Sequence, residues 1–269
     1  MSTAELPLPA RAFDAIADVF DSRFGAWESV ATQRRAVRRE LARAFPPGAS
    51  VLEIGGGTGE DALWLAERGR SVLLTDISPR MVLRARAKFA GHRGLRAQVA
   101  AAEAIETIDL GGERFDGAFS NFAGLNCVED LARVACGLAR LIRPGGSAVL
   151  VVFGTFCPGE WLVEGLRRRP AEMVRRFKRK PVNARIGGNE FSVRYFTTAE
   201  LVSAMAPWFD LAARRGIGVF VPPSAAEPWI SRHPHLVAGL DALDDALGRP
   251  LAIFGDHILY RFVRTEAAA

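Results

Sequence analysis

The chain has 269 residues, of which 49% are hydrophobic and 24% are charged, and its formal net charge is +5. This balance is that of a globular protein with a sizeable core, and it excludes a disordered or collagen-like chain. A charge excess this small does not indicate nucleic-acid binding by itself, because a basic stripe would also be needed.

An N-terminal helical segment is predicted over residues 1–48. Apolar residues at helical spacing predict one helix from Phe13 to Phe24 and a second from about Ser29 to Phe45. The second helix is expected to stop at the Pro-Pro-Gly sequence of residues 46–48, because proline and glycine interrupt helices.

Residues 49–154 alternate strand-length apolar runs with helical segments. With right-handed crossovers, this alternation predicts an α/β fold in which a Rossmann-like, doubly wound, mostly parallel sheet is covered on both faces. The predicted strands are Val51–Ile54, Ser71–Thr75, Leu95–Ala100, Phe115–Ser120 and Ser147–Phe153, and the predicted helices are Asp61–Arg68, Pro79–Ala90 and Glu129–Ile142.

The pattern changes after Phe153, which predicts a cap over residues 155–196 and a return to the core over residues 197–266. Inserts at the carboxyl ends of strands commonly shape a ligand crevice, so the cap is expected to overhang one. The cap is predicted as a helix over Trp161–Lys180 and a hairpin of Val182–Ile186 and Glu190–Phe196. The C-terminal part is predicted as a helix from Thr197 or Thr198 to Ala206, a strand Leu211–Phe220, a helix Glu227–Leu247 and a strand Ile253–Val263.

Three cysteines, Cys127, Cys136 and Cys157, cannot form a closed disulfide set. Neither a CxxC pair nor a His/Cys cluster is present, so no metal site is predicted. Free thiols fit a reducing cytoplasm, which is the expected location. The chain start lacks the features of a signal peptide, and no apolar stretch is long enough to predict a membrane span.

A glycine-rich turn follows the first predicted strand, in the sequence VLEIGGGTG of residues 51–59. Glycines at 55, 57 and 59 allow the backbone to turn tightly and to approach a ligand closely. The dinucleotide fingerprint GxGxxG requires a further glycine where Glu60 stands, and an acidic residue there is a poor neighbour for a pyrophosphate. A P-loop is excluded, since no Gly-Lys-Ser/Thr follows.

Asp76 ends the second predicted strand. A carboxylate at that place can accept hydrogen bonds from both ribose hydroxyls of an adenosine ligand. The alternative is an ordinary loop or helix-capping carboxylate, but its register with the glycine turn favours ribose binding.

Four stretches, VLEIGGGTG, LLTDISPRM, FDGAFSNFAGLN and LIRPGG, resemble class I S-adenosylmethionine (SAM)-dependent methyltransferases. They are most similar to the group that includes ubiquinone/menaquinone C-methyltransferases and many small-molecule methyltransferases, and the resemblance covers roughly residues 50–153. The opening AFDAIADVFDSRF resembles the N-terminal helix of that group, with Phe20 where a tyrosine is common. The resemblance implies a seven-stranded sheet with an antiparallel last strand, and SAM as the cofactor.

The resemblance also implies cofactor-binding residues. An aspartate is common at the position of Ala101, so the adenine contact departs from the pattern, and Glu103 or a backbone carbonyl is the substitute. Ile77 and Met81 could instead be core residues, and Asn121 a loop-forming residue. The implied positions are Glu53, Gly55, Gly57 and Gly59 around the methionine part, Asp76 on the ribose, Ile77, Met81, Ala102 and Glu103 around the adenine, Asn121 and Phe122 near the reactive methyl, and Phe20 from the N-terminal helix.

A general base is needed only if the methyl acceptor keeps its proton. Tyr195 and His233 are the predicted candidates, because the cap should overhang the pocket; His235 and His257 are weaker alternatives. For each of them a surface or structural role is the competing interpretation. Many aromatic residues in the cap and N-terminal helices predict a small hydrophobic or aromatic acceptor, such as a quinone, a polyketide or another specialised metabolite.

Eight arginines and lysines lie within residues 167–180. Such a run is commonly a solvated helix face, and the alternative is attraction of an anionic acceptor or a peripheral contact with an anionic membrane surface. Only Phe177 interleaves with these cations, so a nucleic-acid partner is not expected.

Two other functions stay open from the sequence. One is a non-catalytic, regulatory SAM-binding protein, which has the same cofactor motif. The other is an NAD-dependent or nucleotide-sugar Rossmann enzyme, against which Glu60 argues. The sequence determines neither the oligomeric state nor whether carbon, nitrogen or oxygen is methylated.

Overall fold

The computed structural model describes residues 6–108, 112–122 and 124–267. Parts of the predicted N-terminal segment and of the stretch FDGAFSNFAGLN therefore lie outside the described residues. In chain order the helices and strands are α1 Leu8–Asp14, α2 Phe20–Gly25, α3 Glu28–Ala44, β1 Ser50–Ile54, α4 Glu60–Ala66, β2 Ser71–Asp76, α5 Pro79–Lys88, β3 Leu95–Val99, β4 Phe115–Ser120, α6 Leu131–Leu141, β5 Ile142–Phe153, α7 Pro158–Leu166, α8 Pro170–Met173, β6 Val182–Ile186, β7 Asn189–Val193, α9 Thr198–Met205, β8 Phe209–Ile217, α10 Pro234–Leu247 and β9 His257–Arg264.

Seven strands form one sheet in the order β3-β2-β1-β4-β5-β9-β8. The first five pair in parallel, and β9 runs antiparallel to both β5 and β8. This confirms the predicted doubly wound, mostly parallel sheet with an antiparallel last strand. The order reverses between β1 and β4, and ligands of open α/β sheets bind at such a switch point.

The sheet is covered on both faces because its central strands are apolar on both sides. Leu52 and Ile54 of β1 join a core that includes α6 and α9 residues, whereas Val51 joins a core that includes Val37 and Leu41 of α3. Successive side chains of a strand point to opposite faces, so one strand serves both cores. The carboxyl ends of β1, β2 and β4 are thereby fixed at one edge.

The predicted helix from Phe13 to Phe24 is wrong, since α1 ends at Asp14 and α2 begins at Phe20. Asp14 accepts hydrogen bonds from the Ser78 hydroxyl and the Arg80 backbone N–H of the α5 region, and these hold the end of α1. The turns between the two helices place Ile16 and Ala17 against Met81. Tertiary contacts therefore break the periodic pattern.

The predicted helix over Trp161–Lys180 is also wrong. It divides into α7, α8 and a short 3₁₀ turn at Arg175–Phe177. Pro170 lacks a backbone N–H and disfavours a helical residue before it, and Arg168 adopts a φ of 57°. The predicted hairpin is confirmed as β6 and β7.

The long C-terminal helix begins at Pro234 rather than at Glu227, because only short 3₁₀ turns precede it. The last strand begins at His257, after a further 3₁₀ turn at Ala252–Phe254. Among the described residues, no helix is long and apolar enough to cross a membrane.

Candidate functional site

The glycine-rich turn joins β1 to α4 with its glycines in the left-handed region. Gly55, Gly57 and Gly59 have φ values of 65°, 57° and 84°. A side chain is strained at such values, which explains the glycines. The turn leaves the Gly57 N–H free to donate a 2.8 Å hydrogen bond to Oδ2 of Asp76, so the turn and the end of β2 are tied together.

Asp76 is buried at the edge of the sheet. Its Oδ1 accepts a 2.8 Å hydrogen bond from the Ser78 N–H, while Oδ2 accepts the bond from Gly57. Burial raises the pKa of Asp76 to about 6, although both backbone hydrogen bonds oppose the rise. The carboxylate is oriented, and each oxygen keeps a lone pair for a further donor.

Glu53 is the next-to-last residue of β1, beside the turn, and is also buried. Its Oε2 has no hydrogen-bond partner among the described residues. Burial raises the pKa of Glu53 well above its usual value, and the nearby Asp61 carboxylate adds to the rise. An unpartnered buried carboxylate costs free energy, so this position favours a ligand that brings a donor or a positive charge.

A single cavity brings the predicted cofactor residues together. It is lined by Phe20, Glu53, Gly55, Gly57, Asp76, Ile77, Met81, Ala102, Glu103, Asn121 and Phe122, all of them predicted from the sequence. Gly59 is the exception among those predicted: it faces the Phe89 ring of the protein interior rather than the cavity. The remaining lining is largely apolar and includes Pro9, Phe13 and Val128.

The N-terminal helices cover one side of this cavity through Pro9, Phe13 and Phe20. Asp21 of α2 holds them to the glycine turn: it accepts a 2.5 Å hydrogen bond from Thr58 and pairs with Lys88 at 2.7 Å. Partial burial opposes ionisation of Asp21, but hydrogen bonds from Lys88 and Thr58 lower its pKa. The cover is therefore attached to the turn by polar contacts.

Arg34 and Asp61 line the cavity but were missed by the sequence reasoning. The Arg34 guanidinium lies 5.2 Å from the centre of the Phe122 ring, and its Nε has no hydrogen-bond partner among the described residues. Arg34 comes from α3, outside the recognisable motif, so only tertiary packing brings it here. A signal did exist for Asp61, because it directly follows the glycine turn.

Asp61 orients the end of β4. Its Oδ2 accepts a 2.7 Å hydrogen bond from Nδ2 of Asn121, and its Oδ1 accepts one of 2.7 Å from Arg38. Oδ1 of Asn121 then accepts the Phe122 N–H at 2.8 Å. Phe122 has a φ of 47°, which is strained for a phenylalanine. This chain of hydrogen bonds fixes the Phe122 ring beside the cavity.

Neither predicted catalytic residue lines this cavity. Tyr195 is buried one layer away and packs on Phe153, at 5.7 Å between ring centres. His233 is exposed at the start of α10, with its ring tilted against that of Trp229 and its Nδ1 2.9 Å from the Trp229 carbonyl oxygen. The structure does not bring these two side chains to the other predicted residues, and their catalytic roles stay predictions.

Cys157, Glu160 and Asp256 lie close enough together to hold a metal ion. The Arg176 guanidinium instead lies among them, pairing with Glu160 and, at 2.6 Å, with Oδ1 of Asp256. Burial raises the pKa of the Cys157 thiol to about 12, so it is not a thiolate. The residues present suit a buried arginine rather than a metal cation.

The glycine turn makes a prediction about stability. A Cβ on Gly59 would lie 2.7 Å from the Phe89 ring, whereas a Cβ on Gly57 would have nothing within 4 Å. Gly59→Ala combines a clash with an unfavourable φ, so we expect it to lower the free energy of unfolding by about 2–4 kcal/mol. Gly57→Ala carries only the φ cost of about 1–2 kcal/mol. Urea denaturation of both variants would measure the difference, and equal losses would contradict the packing described.

Residues 51–146 match a protein-family model described as a methyltransferase domain. The chain is 40% identical over 111 residues to a malonyl-[acyl-carrier protein] O-methyltransferase of Salmonella typhimurium. The aligned residues are 41% of this chain and 40% of that protein. It is 35% identical over 142 residues to the ubiquinone/menaquinone biosynthesis C-methyltransferase UbiE of Acidiphilium cryptum, covering 49% and 55% of the two chains. The matches thus span about half the length of these relatives.

The solved structure of the [4+2]-cyclase SpnF has a similar fold, with a TM-score of 0.63 over 97% of this chain and 96% of that one. Its sequence is 16% identical, so the similarity concerns the fold alone. Together with the family model, the named relatives confirm the resemblance that the sequence motifs predicted.

Proposed function

Since this chain carries a class I SAM-dependent methyltransferase domain, we propose that it transfers the methyl group of SAM to a small hydrophobic acceptor. One observation carries the proposal: a glycine turn and two buried carboxylates, Glu53 and Asp76, meet in one cavity whose cover is aromatic. A cytoplasmic location is part of the proposal, because Cys127, Cys136 and Cys157 are free thiols.

The cavity residues suit the parts of SAM. Asp76 has lone pairs for the ribose hydroxyls, and Glu53 offers an unpartnered carboxylate oxygen for the ammonium group of the methionine part. Arg34, whose Nε lies 3.9 Å from Oδ1 of Asp61, is the cation of the described lining that we assign to the methionine carboxylate. Ile77, Met81, Ala102 and Glu103 remain our proposed surroundings of the adenine. SAM itself supplies an activated methyl group on its sulfonium.

The protein's own contribution is placement and exclusion of water. Phe13, Phe20 and Phe122 form apolar surface at the cavity, which suits a hydrophobic or aromatic acceptor. Holding a nucleophile in line with the methyl group lowers the barrier by avoiding the entropy cost of the encounter. Asn121 and Asp61 act through Phe122, whose position they fix.

The acceptor class follows from the titratable groups at the cavity. No histidine, lysine or tyrosine lines it among the described residues, and burial raises the pKa of the cavity-lining Cys127 to about 12. The carboxylates of the lining have other roles: Glu53, Asp76 and Glu103 are assigned to SAM in our proposal, Asp61 binds Asn121 and Arg38, and Glu60 pairs with Lys88. No group of the described lining is thus left to act as a general base. We propose an acceptor that loses its proton unaided, such as a carboxylic acid, an acidic hydroxyl or a carbon between two carbonyl groups. Among the relatives, one is named for O-methylation and another for C-methylation.

Formation of S-adenosylhomocysteine with a panel of acceptors tests this proposal. We expect turnover at neutral pH with apolar carboxylic acids, acidic phenols or quinols, and none with matched aliphatic alcohols. Turnover with alcohols but not acids would overturn the acceptor class. No turnover with any compound, despite tight SAM binding, would favour the non-catalytic alternative below.

The non-catalytic SAM-binding protein remains the second candidate. The solved structure named a [4+2]-cyclase matches nearly the whole length of this chain, so the fold also accommodates proteins named for other chemistry. A described lining in which no group is assigned to act as a base fits that candidate as well. The NAD-dependent alternative is disfavoured because Glu60 occupies the position of the third fingerprint glycine.

The raised pKa values predict how SAM binding depends on pH. SAM should bind the ionised forms of Glu53 and Asp76, and Asp76 has a pKa of about 6 in the free protein. The affinity of the protein for SAM should therefore fall as the pH is lowered through 6. The decrease should reach up to about tenfold per pH unit for each proton that the protein takes up. Calorimetry between about pH 7.5 and 5.5 would measure this. The Glu53→Gln variant should retain the Asp76 component, and a constant affinity of the unchanged chain would contradict the assignment.

A further inference from the structure

Helix α7 is amphipathic in the opposite sense to most surface helices. Its buried side carries the carboxylates of Glu160 and Glu164, whereas Leu162 and Leu166 are 66% and 78% exposed. Residues four apart lie on one side of a helix, so the two leucines form a single exposed apolar stripe. Surface helices ordinarily bury the apolar side and expose the charged one.

Further exposed apolar residues lie before and after α7 in the sequence. Val174 and the rings of Phe156 and Phe177 are also exposed, and Phe177 packs on Phe156 at 5.1 Å and on Trp161 at 5.7 Å between ring centres. We use the name α7 face for the exposed apolar residues of this segment, which are Phe156, Leu162, Leu166, Val174 and Phe177. An exposed cluster of large apolar side chains marks an interaction surface more often than scattered single residues do.

Cations flank the α7 face at both ends of the segment. Arg167, Arg168 and Arg169 directly follow α7, and Lys178, Arg179 and Lys180 follow the 3₁₀ turn. Arg167 lies 3.4 Å from Glu164. For the other five cations, no acidic side chain within the described ranges forms an ion pair. The positive charge around the apolar residues is thus largely uncompensated.

The α7 face is attached firmly to the core. Arg176, between the two cationic stretches, donates hydrogen bonds of 3.1 Å and 2.7 Å to the carbonyl oxygens of Gly154 and Asp256, at the ends of β5 and β9. Glu160 is held from the other side by Arg175 at 2.9 Å. The exposed side chains therefore project from an anchored segment.

We propose that the α7 face docks on an anionic lipid surface, with its leucines and phenylalanines in the interfacial layer and its lysines and arginines on the headgroups. Charge complementarity selects an anionic partner, and exposed apolar side chains between flanking cations are the pattern of interfacial binding. The proposal does not depend on methyl transfer.

Co-sedimentation of the full chain with lipid vesicles tests the proposal. We expect binding to phosphatidylcholine vesicles that contain about 30% phosphatidylglycerol, and at least about tenfold weaker binding to pure phosphatidylcholine or in about 0.5 M salt. Leu162→Ser with Leu166→Ser should weaken binding at least about fivefold through loss of apolar burial. Arg168→Gln with Arg169→Gln and Lys178→Gln should reduce both the affinity and its salt dependence.

Matched variants outside the α7 face serve as controls. Leu83 on α5 is 65% exposed, and Arg93 and Arg133 are exposed cations, so Leu83→Ser and Arg93→Gln with Arg133→Gln should leave vesicle binding unchanged. SAM affinity, measured on each variant, verifies folding. Equal binding to both vesicle types, or equal effects of the test and control variants, would overturn the proposal. Binding to soluble poly-glutamate but not to vesicles would assign the face to an acidic protein instead.

Discussion

Replacing Asp76 with alanine is expected to weaken SAM binding at least about tenfold. Isothermal titration calorimetry would measure this loss of affinity. The carboxylate would lose up to two charge-assisted hydrogen bonds to the ribose, each worth about 1.5–3 kcal/mol. It also orients the glycine turn through the Gly57 N–H, so its loss loosens the turn. Asp76→Asn should be intermediate, because the amide retains one acceptor oxygen but loses the charge.

Asp130 provides the matched control for this experiment. It also accepts two backbone N–H groups, from Ala132 and Arg133, but it caps α6 and is not among the residues that line the cavity. Asp130→Ala should therefore lower the free energy of unfolding by about 1 kcal/mol, as the loss of a helix cap does, and should leave SAM affinity unchanged. Unchanged SAM affinity in Asp76→Ala would mean that the ribose site lies elsewhere.

Replacing Arg176 with methionine is expected to cause a large loss of stability, about 3–5 kcal/mol. The Arg176 side chain is buried between the carboxylates of Glu160 and Asp256. Burial raises the pKa of Asp256, but the charges of His257 and Arg176 lower that pKa by more than burial raises it. The Asp256 carboxyl group therefore stays ionised. Methionine fills the space but leaves the buried Asp256 carboxylate without its arginine and Glu160 with Arg175 alone. Thermal denaturation should show a decrease in Tm of about 10 °C.

Arg175 is the control, because it pairs with the same Glu160 but is more exposed. Arg175→Met should cost only about 1 kcal/mol. Combining Arg176→Met with Glu160→Gln and Asp256→Asn should recover part of the lost stability, since the uncompensated charges are then removed. Equal losses in the two single variants would contradict the assignment of Arg176 as the central cation.

That these residues line one cavity was predictable from the sequence, because they belong to short local segments. The turn at residues 55–59 and the carboxylate of Asp76 lie at the ends of adjacent parallel strands, and such ends meet at one edge of a sheet. Glycine at positive φ has a specific physical cause, which makes the motif informative from one sequence. The doubly wound, mostly parallel character of the sheet followed from the alternation of strands and helices.

Features set by distant contacts were not predictable in this way. Arg34 reaches the cavity only because α3 packs across the sheet, and nothing in its neighbourhood in the sequence marks it. Asp14 ends α1 by bonding to Ser78, 64 positions along the chain. Within the basic run, Arg176 is drawn into the interior while Lys178 and Arg179 remain exposed, and hydrophobic periodicity does not distinguish these cations.

Calorimetric titration of the purified full chain with SAM, S-adenosylhomocysteine and NAD identifies the ligand of the cavity most directly. We expect saturable binding of SAM and S-adenosylhomocysteine, with a Kd of about 1–100 μM, and no heat with NAD. Binding of NAD without any binding of the two adenosyl sulfur compounds would contradict this expectation.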